Sequence, residues 1–118
     1  MANSMPKNIP PFIAREIEKK GGLKNLVDIL PPDKNIDALA KVHHALSDPI
    51  RLKIMYFLNL QDACVCLLKE IFDIDYSRLS YHLSLLKDCG LIEGERSGNY
   101  IIYRITSKGR KYLECAES

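Results

Sequence analysis

The stretch YSRLSYHLSLLKDCGLIEGERSGNYIIYRI, from Tyr76 to Ile105, changes its periodicity halfway along. Its first half carries leucines at helical spacing on one face: Leu79, Leu83 and Leu86. Asp75 is a good N-cap for this helix, and Gly90 is a good stop. The second half is rich in β-branched and aromatic residues on both sides of Ser-Gly-Asn at 97–99, a turn signal that predicts a β-hairpin.

A second helix is predicted just upstream, in SDPIRLKIMYFL (residues 47–58). Pro49 suits the first helical position and Asp48 the cap. The apolar face of this helix comprises Ile50, Ile54, Phe57 and Leu58. A short helix is predicted between the two, from Ala63 to Phe72, with Asp62 as its cap.

Two helices joined by a tight turn and followed by a hairpin predict a winged helix-turn-helix. The fold class is therefore mainly α with a β-hairpin wing. The remaining segments read as helices: one around Ile13 and Ile17, one from Leu23 to Leu30, one from Asn35 or Ile36 to Leu46, and a last one capped by Thr106 or Ser107 and weakened by Gly109.

Length and composition favour a single domain with one elaboration, because the chain has 118 residues and 47% hydrophobic content. No apolar stretch approaches the roughly 20 residues of a membrane span, and residues 1–11 do not read as a signal peptide. We therefore expect a cytoplasmic protein that does not contact a membrane. Reduced cysteines are then expected, with roles in packing, metal binding or redox sensing.

Charge is distributed unevenly although the net charge is only +2. The segment 76–112 has seven basic and three acidic residues, so it carries +4, whereas the rest of the chain carries −2. An anionic partner would therefore meet the second half of the chain. A solvated surface is the alternative explanation.

The polar face of the helix that begins at Tyr76 has the small and hydrogen-bonding side chains that a DNA major groove requires. The candidate DNA-contacting residues on it are Tyr76, Ser77, Arg78, Ser80, Tyr81 and Ser84. Arg96 and Asn99, near the hairpin tip, are candidates for contacts with phosphate or the minor groove. An ordinary amphipathic helix is the alternative, and the hairpin shifts the balance towards double-stranded DNA.

No catalytic constellation is visible, so the protein is not expected to be an enzyme. The chain has no glycine-rich phosphate loop, and its histidines lack the spacing of a zinc enzyme. His43 and His44 are adjacent and point to different faces of a helix. His82 flanks an apolar helix face, where a packed, hydrogen-bonded histidine is commoner than a ligand.

Taken together, ALSDPIRLKIMYFL, CVCLLKEI and the opening stretch resemble the ArsR/SmtB family of winged-helix, metal-sensing repressors. The resemblance covers Ala45 to Ile105. It implies a homodimer whose terminal helices pair and whose two recognition helices enter successive major grooves. On this basis residues 1–34 are expected to be a helical dimerisation extension. Residues 35–118 are expected to form the DNA-binding domain with a C-terminal dimerisation helix.

The apolar surface expected at the dimer interface comes from the terminal helices: Ile13, Ile17, Tyr112 and Leu113. A lone winged helix could not cover these side chains, so the dimer is expected to bury them.

In arsenic-sensing members of the family, a Cys-x-Cys is followed three residues later by another cysteine. Cys64 and Cys66 match the first two positions, and Lys69 occupies the third. The resemblance implies arsenite, antimonite or a soft divalent metal as inducer, not required for the fold. A third ligand could be Cys89, Cys115 or an exogenous thiol.

Helical geometry adds a condition to this thiol site. Residues i and i+2 of a helix point about 200° apart, so both thiols can hold one ion only if the helix start loosens. Such a distortion would disturb the helix that packs on the recognition helix, and would release DNA. A cysteine buried as a small hydrophobic side chain is the alternative.

The sequence thus predicts a DNA-binding repressor released from its operator by a thiophilic metal or metalloid. Two alternatives stay open. One is a winged-helix regulator switched by oxidation of Cys64 and Cys66. The other is a winged-helix interaction module without a sensing role.

Overall fold

Most helix and strand boundaries follow from local sequence signals. The computed structural model describes residues 7–117, with side chains from 7 to 115. The elements are α1 (Pro11–Lys19), α2 (Leu23–Ile29), α3 (Asp33–Leu46), α4 (Pro49–Leu60), β1 (Ala63–Cys64), α5 (Val65–Phe72), α6 (Tyr76–Asp88), β2 (Ile92–Ser97), β3 (Tyr100–Ile105) and α7 (Ser107–Glu117). Winged helix-turn-helix architecture, with the hairpin as its wing, is confirmed.

The chain divides into two units, with the boundary after Asp37. In the first unit, α1 begins at Pro11, whose missing N–H is harmless at that position. Gly22 precedes α2 with a φ of 93°, a conformation that suits glycine. α3 begins at Asp33 rather than at Asn35 or Ile36, because the carbonyl of Pro32 already accepts hydrogen bonds from those two amides.

The second unit is built around α4 and α6. Asp48 caps α4 by accepting hydrogen bonds from the amides of Ile50 and Arg51, and Asp75 caps α6 by accepting one from Arg78. The core comprises Val42, Ala45, Ile54, Met55, Leu58, Ala63, Leu68, Ile74, Leu79, Leu83, Leu86, Leu91, Ile92, Ile105 and Leu113. The predicted apolar face of α6 is therefore confirmed.

The end of α6 is fixed by a left-handed glycine, as its position predicts. Gly90 has a φ of 74° and its amide donates to Lys87, while the amide of Leu91 donates to Leu86. This pair of hydrogen bonds is the Schellman arrangement, which satisfies the last carbonyls of a helix. It turns the chain directly into the hairpin.

The short helix before α6 begins later than predicted, at Val65 instead of Ala63. Ala63 and Cys64 instead form β1, which pairs with Tyr103 and Ile102. Backbone pairing with the wing outweighs the local helical signal, so the expectation of a helix through both thiols is wrong.

Asp62 is likewise no cap for α5. Its carboxylate lies 3.6 Å from Arg104, which also contacts Glu95 at 3.0 Å. The acidic side chain thus joins β1 to the wing, and Cys64 occupies the capping position of α5.

The three strands form an antiparallel sheet in the order β1-β3-β2, in which Ile92 faces Ile105 and Ser97 faces Tyr100. Gly98 and Asn99 make the two-residue loop, and Gly98 has a φ of 62°. A glycine at the first central position is typical of the type II′ turn, whose twist matches the strands.

The last helix is capped by Thr106, whose hydroxyl oxygen accepts a hydrogen bond from the amide of Gly109. Gly109 is not merely a weak helix residue, since a Cβ there would overlap the carbonyl oxygen of Leu91. Leu113 is buried in the core of its own unit. The expectation that Leu113 offers surface for a dimer is therefore wrong, because α7 uses it to close the core.

Within the described residues, no helix has the length and apolar character needed to cross a membrane.

Candidate nucleic-acid interface and thiol site

The outward face of α6 is accessible along its whole length. All six of its predicted DNA-contacting residues are exposed: Tyr76, Ser77, Arg78, Ser80, Tyr81 and Ser84. The buried leucines on the opposite face hold the helix against α4 and the sheet. The helix therefore presents hydroxyls, aromatic rings and one guanidinium to solvent, the side-chain types that contact base edges and phosphates.

The hairpin adds a second exposed surface in the same unit. Arg96 and Asn99 are both exposed, at the end of β2 and in the loop. Arg104 differs from Arg96, because two carboxylates already neutralise it. Arg96 is thus the better candidate for a phosphate contact.

The two thiols of Cys64 and Cys66 meet at the junction of β1 and α5, with their Sγ atoms 2.8 Å apart. Cys64 lies before the helix in extended conformation, whereas Cys66 lies in its first turn. The 200° separation expected within a helix therefore does not apply. The thiols converge in the folded chain, without any loosening of α5.

Hydrogen bonding between the thiols separates their acidities. The hydrogen bond from Cys66 lowers the pKa of Cys64, and the Leu67 amide near the helix start acts in the same direction. The same thiol contact raises the pKa of Cys66. Cys64 is therefore the sulfur that ionises first, and the thiolate is the form that binds metals and acts as nucleophile.

A groove of about 540 Å³ is lined both by the thiol pair and by predicted DNA-contacting residues; we call it the thiol groove. From the start of α5 it is lined by Cys64, Val65 and Cys66. From α6 it is lined by Tyr76, Ser80, Leu83 and Ser84, and from the hairpin by Asn99, Tyr100, Ile101 and Tyr103. The structure thus brings four predicted DNA-contacting residues, Tyr76, Ser80, Ser84 and Asn99, together with both predicted metal ligands.

The other two cysteines lie elsewhere in the fold. The Cys89 Sγ lies 3.5 Å from the carbonyl oxygen of Lys41, at the end of α6. Cys115 is exposed on α7. Across the described residues, no group of three or more His, Cys, Asp or Glu side chains is arranged to hold a metal ion. The thiol pair therefore has two protein sulfurs as its donors.

Lys69, at the position of the third thiol in arsenic-sensing family members, has a different contact. Its Nζ lies 5.5 Å from the centre of the Tyr76 ring. A cation over an aromatic face is attracted by the ring quadrupole. The contact joins α5 to the first residue of α6.

A buried polar pair, of which the sequence predicts only the histidine, joins α6 to α4. Arg51 and His82 are only 5% and 7% exposed, and Arg51 Nη1 lies 2.8 Å from His82 Nδ1. Arg51 also donates to the carbonyl oxygens of Ala45 and His44. The spacing of Arg51 from Ile54, on the apolar face of α4, is the signal that could have revealed its burial.

His82 is a packed, hydrogen-bonded residue, as its position on α6 predicts. Burial lowers its pKa; the nearby carboxylate of Asp48 opposes this shift, and the charges of Arg51 and Arg78 reinforce it. Burial tends to raise the pKa of Asp48, but hydrogen bonds from the Arg51 and Ile50 amides, with the Arg51 and His82 charges, bring it below its usual value.

Comparison with known proteins places this architecture among bacterial regulators. Residues 48–94 match the model of the family described as bacterial regulatory protein, arsR family. A solved homodimeric winged helix-turn-helix DNA-binding domain from Mycobacterium bovis, described as a possible ArsR-family transcriptional regulator, superposes with a TM-score of 0.63. It is 28% identical, and the match covers 69% of this chain and 75% of that one.

Three curated relatives are similar in sequence. The HTH-type transcriptional repressor SmtB of Mycobacterium tuberculosis is 35% identical over 64% of this chain and 56% of its own length. The arsenical resistance operon repressor of Bacillus subtilis is 45% identical over 54% and 62%. A cadmium resistance transcriptional regulatory protein, the CadC homolog of Staphylococcus aureus, is 37% identical over 64% and 63%. The chain thus spans less than two thirds of each relative.

Proposed function

Because this chain belongs to the ArsR family of winged-helix regulators, we propose that it is a repressor released from operator DNA by a thiophilic ligand at Cys64 and Cys66. The observation that carries this proposal is the contact of the two thiols in the lining of the thiol groove, which the exposed α6 residues Tyr76, Ser80 and Ser84 also line. The relatives are named as repressors and regulators, and enzymatic activity is not part of the proposal.

Double-stranded DNA is the proposed partner of α6 and the wing. Exposed Ser77, Ser80 and Ser84 would let the helix approach base edges closely, and Arg78 would reach guanine or phosphate. Arg96 would contact phosphate from the hairpin and add to the salt dependence of binding. The excess of basic over acidic residues in 76–112 would attract the polyanion.

Trivalent arsenic and antimony are the proposed ligands, ahead of cadmium or zinc. Two thiolates can bind a soft metalloid, whereas structural zinc sites use four protein ligands. The described residues offer no third or fourth acidic, histidine or cysteine donor beside the pair. An exogenous thiol would complete the site around inorganic arsenite.

Release of DNA would follow from the position of the pair. A ligand on Cys64 and Cys66 would enter the groove that Tyr76 of α6 and Asn99 of the hairpin loop also line. The ligand would also be bonded to the first turn of α5 through Cys66, and α5 packs against α6. If the ligand binds more tightly to a conformation of α5 and α6 that does not fit DNA, it increases the fraction of the protein in that conformation. The size of the shift is set by the difference between its affinities for the two conformations.

A homodimer is the proposed assembly, and the cytoplasm is the proposed location, where the protein would meet its operator. The first unit exposes large apolar side chains: Phe12, Ile29, Leu30 and Ile36. Such side chains are candidates for burial between two copies, so residues 1–34 remain the proposed dimerisation extension. Tyr112, half-buried on α7, would contribute at the other end of the chain.

Thiol oxidation is a second candidate function, favoured by the same 2.8 Å contact and by the lowered pKa of Cys64. Two-electron oxidation by a peroxide would join the sulfurs, releasing both thiol protons to water formed from the peroxide. Reduction by dithiothreitol would then restore DNA binding. A winged-helix interaction module without DNA binding is the third possibility.

A binding titration on the DNA upstream of the protein's own gene separates these functions. The full chain is titrated at several salt concentrations, then challenged with arsenite, antimonite, cadmium, zinc or peroxide. Release by arsenite and antimonite under reducing conditions supports the proposal. Release by peroxide alone, reversed by dithiothreitol, supports the redox switch, and absence of salt-sensitive binding supports the interaction module.

A further inference from the structure

The thiol pair is an incomplete coordination site that opens onto the thiol groove. It supplies two sulfurs, and no further histidine, cysteine or carboxylate in the described part of the chain joins them in a metal-holding group. Lys69, at the position where a third thiolate would stand, instead contacts the Tyr76 ring. A three-coordinate ligand atom bound to both sulfurs would therefore keep one coordination position that no side chain among the described residues fills.

The spacing of the sulfurs restricts which centre suits the site. Two Sγ atoms 2.8 Å apart lie on the same side of any atom they both bind. A linear dithiolate, the preferred geometry of mercury(II), needs sulfurs on opposite sides of the ion. A pyramidal trivalent arsenic, whose bonds diverge at roughly right angles, accepts adjacent sulfurs and carries a third bond away from them.

The third bond would enter a groove whose lining is largely apolar and aromatic. Val65 lies between the two cysteines in the chain, Tyr76 and Leu83 come from α6, and Tyr100 and Ile101 come from the hairpin, beside the smaller polar side chains of Ser80, Ser84 and Asn99. Its volume of about 540 Å³ falls within the usual range for small-molecule sites, roughly 300–1,000 Å³. Such walls favour a hydrocarbon group over a hydroxide or water.

We propose that the preferred ligand is a monosubstituted organic arsenic(III) compound, R–As(OH)₂, with its organic group R in the thiol groove. This inference rests on the proposed function and specifies its ligand class. Two thiols exchange with the two hydroxyls to form R–As(S-Cys)₂, and two water molecules leave with the thiol protons. Arsenic stays trivalent and the As–C bond stays intact, so no oxidant or reductant takes part.

The same geometry explains how the organic group would act on DNA binding. The group would lie against Tyr76 of α6 and Tyr100 of the hairpin, next to residues proposed to contact DNA. Occupation of the groove and occupation of the DNA surface would then compete. Inorganic arsenite would bind through the same sulfurs but would leave this part of the groove empty.

The test compares phenylarsine oxide with arsenite on the full, reduced chain, by calorimetric binding without DNA and by DNA release. Its variant is Ile101→Ala in the groove. The matched control is Ile71→Ala, because Ile71 and Ile101 are 42% and 44% exposed and Ile71 lies outside the groove. Intact-mass measurement counts the phenylarsenic groups added per chain.

We expect one phenylarsenic group per chain, lost on Cys64→Ser. Ile101→Ala should weaken phenylarsine oxide binding about threefold to tenfold through lost apolar contact, while arsenite binding stays unchanged in both isoleucine variants. Equal effects of Ile101→Ala on both compounds, or none on either, would overturn the groove assignment alone. Failure of both compounds to bind at Cys64 and Cys66 would instead overturn the proposed function.

Discussion

Arg51 on α4 donates a hydrogen bond to His82 on α6, with 2.8 Å between Nη1 and Nδ1. An arginine has donors only, so Nδ1 of His82 must act as the acceptor, and the ring is neutral with its proton on Nε2. Protonation of Nδ1 would remove this bond and place a second cation beside the guanidinium. The proposed recognition helix is therefore fixed to α4 by a contact that needs a neutral histidine.

Stability should fall on mild acidification because of this contact. Burial lowers the pKa of His82 in the folded chain, so below about pH 6.5 the unfolded chain takes up a proton that the folded chain resists. The contribution of neutral His82 to the unfolding free energy is complete above about pH 6.5. It is lost as the pH falls towards the pKa of His82 in the folded chain. Urea unfolding at pH 7.5 and pH 5.5 measures the loss.

His82→Asn is the matched variant for this pH dependence, since an amide oxygen can still accept from Arg51 but does not titrate. We expect a smaller drop in unfolding free energy between the two pH values than in the parent. An identical drop in both proteins would assign the effect to other groups. Asp48 does not affect this comparison, because its lowered pKa changes the unfolding free energy only below about pH 4.

Arg51→Met should destabilise the fold by about 2 kcal/mol, because buried acceptors on Ala45 and His82 lose their donor. Arg51→Lys keeps the charge without the forked geometry and should recover only part of the loss. Lys53→Met, on the exposed face of the same helix, serves as control and should change stability by less than about 0.5 kcal/mol. Equal stabilities for Arg51→Met and the parent would show that the buried network contributes nothing.

Gly109→Ala should destabilise the chain by about 1–3 kcal/mol, although alanine is the better helix former. The added methyl group would overlap the Leu91 carbonyl and press on Ile105 and Met55. Lys111→Ala, exposed on the same helix, is the control for helix propensity and should be nearly neutral. A more stable Gly109→Ala protein in thermal unfolding would mean that α7 does not pack this closely.

Arg78→Ala and Tyr81→Ala should each weaken specific DNA binding by ~1–3 kcal/mol if the side chain reaches a base edge. Arg96→Ala should weaken binding to every sequence and reduce the salt slope by about one unit, since it would contact phosphate. Fluorescence anisotropy with operator and scrambled duplexes distinguishes the two effects. Lys53→Ala is the control, because it removes one positive charge from α4. Parent-like affinity in all three test variants would show that α6 and the wing are not the DNA-binding surface.

The helices and the wing follow from local sequence signals, for identifiable reasons. Asp48, Asp75 and Gly90 each act through neighbours within a few residues, so their roles as caps and stop can be predicted. The hairpin depends on Gly98 and its flanking strands, which are also local. Exposure of the proposed DNA-contacting side chains of α6 follows from the burial of the leucines opposite them.

The sequence indicates which two cysteines form the thiol pair, but it does not reveal the local structure that brings their sulfurs together. β1 forms because Ala63 and Cys64 pair with Tyr103 and Ile102 in β3, far along the chain, and helical periodicity does not report such a contact. That pairing places Cys64 outside α5 and brings its sulfur to Cys66. The salt bridge of Asp62 with Arg104 and the burial of Leu113 are non-local in the same way.

DNA release by single cysteine variants tests the central claim most directly. Cys64→Ser and Cys66→Ser are each bound to operator DNA under reducing conditions and titrated with arsenite, with Cys89→Ser as the control, because Cys89 does not line the groove. We expect all three to bind DNA like the parent, and only Cys89→Ser to be released by arsenite. Release of DNA from Cys64→Ser and Cys66→Ser at the parent's arsenite concentration would contradict a sensing role for the pair.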